Sequence, residues 1–238
     1  MAMTTADSPN RAHAWTAAVR QRLSLGRLLP LGGPADGAWI SERAAAAVLR
    51  QAVSGPAPGP VIGELRISVA DPESAPAAQV PPPPSALPPG PLRIEATMTA
   101  TADQPLPAAA DALRAALLSA AARRLGLVVA EVDLRVTGLL DASAERVEPE
   151  PVEVRPAPAE DAAGRAAEGV SGVAALTGVL GDAVHTGADQ VRVELATQSG
   201  HRALDVALAV REAVADAVEG RPPVAVLVTA VTGEDPAG

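Results

Sequence analysis

The chain has no cysteine, phenylalanine or tyrosine, and only two tryptophans, Trp15 and Trp39. Without cysteine there is no disulfide, no thiolate nucleophile and no zinc–thiolate site. With almost no aromatic rings, alanine, valine and leucine must do the packing, which favours helices set close on small sheets over a broad ligand cavity. It also weakens any case for stacking on bases or sugars. Lysine is absent too, so all 19 basic residues are arginine. A net charge of −9 argues against non-specific binding to nucleic acid, which draws on an excess of cations over phosphates. No run approaches the ~20 apolar residues of a membrane-spanning helix, and the N-terminus lacks the apolar segment of a secretory signal. The expected location is therefore the cytoplasm.

What is present is a pattern that occurs twice. LRIEATM, an Ala/Leu helical stretch and VDLRVTG in the middle of the chain match VRVELAT, a second such stretch and VAVLVTA near its end. Arg93 and Glu95 on one strand correspond to Arg192 and Glu194 on the other. A duplication of this kind is first a statement about architecture. In the first copy, Leu92, Ile94, Ala96 and Met98 alternate with Arg93, Glu95, Thr97 and Thr99, the period of a half-buried strand. Leu106, Ala110, Leu113, Leu117 and Ala121 form a helical stripe over 107–125, which Gly126 ends. A strand over 128–138 follows, with Val132, Leu134 and Val136 inward and Asp133, Arg135 and Thr137 outward.

In the second copy, Val191, Val193 and Leu195 form the strand, and Ala203, Ala207, Val210, Val214 and Ala217 the helical stripe. The closing strand over 224–231 differs from its counterpart, because Ala225 and Leu227 replace Asp133 and Arg135 and make both of its faces apolar. Such a strand is normally covered on both sides. Ala225 and Leu227 are accordingly a candidate surface for self-association, unless the other half of the chain covers them. A helix and a strand precede each copy: a helix capped by Ser41 and the strand IGELRISVA in the first, a helical run at 162–168 and GVSGVAAL in the second. The expected fold class is α+β, two related α-β-β-α-β halves with small sheets covered by Ala-rich helices.

The expected organisation is 1–10 without regular structure, a basic amphipathic helix and turn over 11–37, and a first half over 38–140. A Pro-rich loop at 71–91 reads as a stiff surface loop. An acidic, Pro-rich linker spans 141–161, the second half 162–232 and a tail 233–238. In the N-terminal helix, Arg11, Arg20, Arg22 and Arg27 stand with Trp15 on a stretch without acidic residues, candidate contacts for an anionic membrane surface or a protein partner.

GVSGVAAL, VRVELAT, DVALAVREAVADAV and VAVLVTAV resemble the alkaline-shock and general-stress envelope protein family of Gram-positive bacteria, with Val170, Gly172, Val173, Leu176, Val206, Val210, Arg211 and Val214 at its motif positions. The whole chain also looks like actinobacterial proteins labelled as the nucleopolyhedrovirus P-ten family, a label that fits composition, since no sustained heptad repeat is present. The Ala-, Pro- and Gly-rich, lysine-free composition suits a GC-rich genome. The resemblance implies a non-enzymatic, envelope-stress-linked protein that self-associates or binds a protein partner. It carries no catalytic residue.

The residues themselves offer little chemistry. His13, His185 and His201 form no metal-ligand spacing, and no metal or cofactor is expected. Gly178–Gly181 matches a G-x-x-G phosphate clamp in form, but Val179 and Leu180 at its tip and Asp182 after it suit a turn better. LGGPADG lacks the spacing and lysine of a phosphate loop. Asp205, Glu212, Asp216 and Glu219 share one side of a helix, where charged residues form the wet face.

Overall fold

The protein is described by a computed structural model covering residues 25–54, 60–101, 105–140, 154–187 and 189–233. The segment expected to lack order at 1–10, residues 11–24 of the expected basic helix, most of the acidic linker and all but the first residue of the tail at 233–238 lie outside the described residues.

The duplication is present in three dimensions. The first half runs through helix α1 (Glu42–Val53), strands β3 (Val61–Val69) and β4 (Leu92–Thr101), helix α2 (Leu106–Ala120) with a π-helical turn (Ala121–Leu125), and strand β5 (Val129–Leu140). The second runs through α3 (Ala162–Glu168), β6 (Val173–Leu176), a short β7 (Val184–Thr186), β8 (Val191–Gln198), α4 (Ala203–Ala217) and β9 (Val224–Thr232). In each, the first strand pairs antiparallel with the second, and the second pairs parallel with the closing strand: β3-β4-β5 and β6-β8-β9. The fold is α+β, built from two related α-β-β-α-β halves.

One part of the chain departs from the expected division. Residues 28–41 are not the end of a helix and a turn but a hairpin, β1 (Leu28–Leu31) and β2 (Ala38–Ser41). Leu28, Leu29, Leu31, Trp39 and Ile40 give it two apolar faces, and all are buried. Gly32 and Gly37 take φ of +70° and +55° at the bend, and Asp36 Oδ2 accepts the Gly33 N–H at 2.6 Å. The hairpin joins the second half's sheet, where Ala38–Ile40 pair in parallel with Val226–Val228. Pro30 is tolerated because β1 is that sheet's outer strand.

Helix α1 packs against both sheets, and small residues let it approach them. Ala44, Ala45, Ala46, Val48 and Leu49 are buried, and Ser41 Oγ caps the helix by accepting the Ala44 N–H at 3.1 Å. Beneath α1, one continuous core joins Ile67, Ile94, Met98, Leu113 and Leu117 of the first half to Leu195, Val206, Val210, Val214 and Val226 of the second. The stripe of α2 is Ala109, Leu113, Leu117 and Ala120, whereas Leu106, at the helix start, is exposed.

The loop over 71–91 has no regular structure, as its prolines require, but it is docked and not merely a surface spacer. Gln79 N–H donates to Pro34 O at 2.9 Å and Leu87 N–H to Leu28 O at 2.9 Å. These bonds seat Val80 in a second apolar cluster with Leu25, Leu28, Trp39, Ala225 and Leu227.

The halves meet tightly at Gly126. Its φ of +89° is left-handed, its carbonyl accepts the Gly32 N–H at 3.0 Å, and a Cβ there would collide with the side chain of Leu204. Gly126→Ala combines a strained backbone with overpacking and is expected to lower stability by about 2–4 kcal/mol. Gly200→Ala, where a Cβ would meet nothing within 4 Å, is expected to leave it unchanged. Urea unfolding of both variants checks this, and equal midpoints would remove the steric argument.

Candidate interaction surface

The two closing strands, β5 and β9, stand at equivalent places but end differently. The outer edge of β9 is taken by β2, and the carbonyl of Gly37, just before that strand, accepts the Val226 N–H at 2.9 Å. Arg211, on the ninth residue of α4, locks this arrangement. Its Nε donates to Val224 O at 3.0 Å and its Nη1 to the carbonyls of Ala35 and Asp36 in the hairpin bend.

Among the described residues no strand pairs with the outer edge of β5. Arg114 holds the ninth place on α2, as Arg211 does on α4, and its Nε likewise donates to the closing strand, at Val132 O, 3.2 Å away. Its Nη1, with no added hairpin to reach, turns back to Asp111 Oδ1 at 2.6 Å. Val128, Val136 and Leu139, at 49%, 42% and 62% exposure, are among the large apolar side chains left open to water, and all lie at or along this strand.

The outer face of the three-stranded sheet is polar and open. Arg50, Glu64, Arg66, Glu95, Thr97, Asp133 and Arg135 line a shallow depression of about 820 Å³. Arg93 Nε donates to Glu131 Oε2 at 2.6 Å and lies 3.6 Å from Asp133 Oδ2. Such exposed pairs contribute little to stability.

The repeated Arg–Glu pair has opposite surroundings in the two copies. Arg93 and Glu95 face solvent, whereas Glu194 is fully buried and Arg192 nearly so. Glu194 Oε2 accepts the N–H groups of Val179 and Leu180 at 2.8 and 2.9 Å, and Arg192 Nη2 lies 3.3 Å from Oε1. The Gly178–Gly181 turn, weighed above as a phosphate clamp, thus wraps the chain's own carboxylate. Arg192 also borders a cavity of about 420 Å³ with Leu25, Leu28, Ser85, Asp182 and His185. Alternation along VRVEL places Arg192 and Glu194 on an outer face but does not reveal that a loop closes over it.

The other residues singled out in the sequence are dispersed. Ala225 and Leu227, expected to pair two copies, are 0% exposed beneath Trp39, Leu28 and Val80, so the chain itself covers the second face of β9 and no surface for self-association remains there. Arg11, Trp15, Arg20 and Arg22 lie outside the described residues. Arg27, the remaining member of that group, donates through Nε and Nη2 to the two carboxylate oxygens of Glu42, each at 3.2 Å. Burial would push the Glu42 carboxyl up, but bonds from Arg27 and the Ile67 N–H outweigh it and hold it below its usual value. His201 Nε2 lies 3.4 Å from Ser171 Oγ, while Asp205 pairs with Arg202 at 2.7 Å. Asp216 pairs with Arg221 at 2.7 Å, so two residues of the acidic helix side serve as ordinary exposed pairs. Among the described residues no group of acidic and histidine side chains is placed to hold a metal ion, and no helix is long and apolar enough to cross a membrane.

Comparison with protein-family models, with curated proteins and with solved structures finds no match to this chain.

Burial is the leading influence on Glu194 and lifts its carboxyl above the ordinary 4.5, against the opposing pull of the Leu180 N–H and Arg192. The unfolded chain therefore ionises first as pH rises, and this group removes stability between 4.5 and its higher folded value. Glu194→Gln abolishes that loss. Its stability relative to the parent chain should improve as pH rises above about 4.5 in urea titrations. A difference that stays constant or moves the other way would contradict the assignment.

Proposed function

We propose that this protein is a non-catalytic scaffold that binds protein chains by accepting a strand on the outer edge of β5. The carrying observation is internal to the fold: the equivalent edge, on β9, already holds an added strand, clamped by the equivalent arginine. Strand addition supplies affinity through main-chain hydrogen bonds and specificity through the side chains that flank them. A long uncovered edge with apolar residues is otherwise a hazard that folded proteins blunt. β5 keeps Val136 and Leu139 exposed along it.

The link to envelope stress is part of the same proposal, and it is supported by the motif residues Val170, Gly172, Val173, Leu176, Val206, Val210, Arg211 and Val214. A cytoplasmic setting fits the composition and the lack of a spanning helix among the described residues. Catalysis has no support from the dispersed histidines and the exposed, paired carboxylates.

Capture experiments with host extract test the reading. The parent chain should retain protein, either further copies of itself or a partner, and Val136→Lys/Leu139→Lys should lose most of it while unfolding at the same urea midpoint. Recovery that is equal for both proteins would defeat an edge-mediated function.

A further inference from the structure

We propose that the strand taken up by β5 is β5 of a second copy, paired antiparallel about a two-fold axis at Leu134. The inference rests on the interaction reading above and names its occupant.

An isologous contact requires a surface complementary to itself, and β5 meets that requirement in one register. With the axis at Leu134, Asp133 of each copy faces Arg135 of the other, so two opposite-charge contacts form on the outer face. On the helix-covered face Val136 meets Val132, and Leu139 meets Val129, because register shifts at Leu92/Arg93 and Met98/Thr99 set Val129 opposite buried Leu92 and Leu139 opposite buried Ala100. Exposed apolar side chains are thus matched with apolar ones. Moving the axis by one residue to Asp133 opposes Glu131 to Arg135 but sets the two Asp133 carboxylates together at the centre, and moving it to Arg135 sets two guanidinium groups together. An axis between residues would oppose inward to outward positions. Only the axis at Leu134 brings opposite charges together without also setting like charges against each other.

The second half shows how such an addition is held. Arg211 bonds the closing strand with Nε and the newcomer's carbonyls with Nη1. Arg114 already makes the first of these bonds, and its Nη1 is held by Asp111, an exposed residue of its own helix. Release of that exposed pair frees the guanidinium for carbonyls of the second copy. Two three-stranded sheets would then become one continuous sheet, β3-β4-β5-β5-β4-β3.

Sedimentation of the full chain over a range of concentrations tests this, using Asp133→Arg and Arg135→Asp. The parent chain should pass from monomer to dimer. Each variant alone sets like charges together and should dimerise at least about tenfold more weakly. An equal mixture of the two variants restores both opposite-charge contacts and should dimerise as well as the parent chain, which also shows that neither variant is misfolded. A parent chain that remains monomeric throughout overturns the self-pairing while leaving the edge-dependent capture above as a separate result. Dimers indifferent to both substitutions, or a mixture that does not recover, overturn the register.

Discussion

The pairing of Ala38–Ile40 with Val226–Val228 is the contact on which the rest of the structure depends. It carries a hairpin from the start of the described chain across to the last strand, and Ser41 Oγ donates to Thr229 O at 2.9 Å over a separation of 188 residues. Because α1 begins at the end of β2, the same contact fixes the helix that packs on both sheets. The hairpin also brings Leu28 and Trp39 to the second face of β9, where with Val80 they cover Ala225 and Leu227. Among the described residues the first half has no such addition, and its closing strand is an edge.

This asymmetry explains why equivalent residues behave differently. Arg93 and Glu95 keep their water, while Arg192 and Glu194 lie beneath a loop and must satisfy their charge with each other and with backbone N–H groups. A buried ion pair is weak evidence for stability, because removing two charges from water offsets their attraction. Glu194 is better understood as the anchor of the Gly178–Gly181 turn, which closes over the face that the hairpin begins to cover.

Much of the fold was legible in the sequence. Period-two alternation located β4, β8 and the closing strands, and the Ser41 cap and Gly126 stop bounded their helices well. The hairpin was not legible, since LPLGGPADGAWIS reads locally as a breaker, and the pairing of its short strands is a long-range effect that no local propensity reports. The same limitation hid the cover over Ala225 and Leu227. Their apolar character correctly required burial on both faces, but only the path of residues 25–41 and of the loop at 71–91 decided that the chain itself would provide it. The edge of β5 was hidden for the converse reason: its residues look like those of any half-buried strand, and only the comparison with β9 exposes the vacancy. Arg114 and Arg211 could have been found from their matching places on the repeated helices.

Hydrogen exchange read strand by strand, as a function of protein concentration, tests the central claim that β9 has an occupied edge and β5 an available one. The amides of 224–232 should be protected at every concentration, and those of 129–140 should gain protection as concentration rises. Exchange across 129–140 that is already as slow as across 224–232 in dilute solution would contradict the account, and exchange that never changes with concentration would contradict the self-pairing of β5.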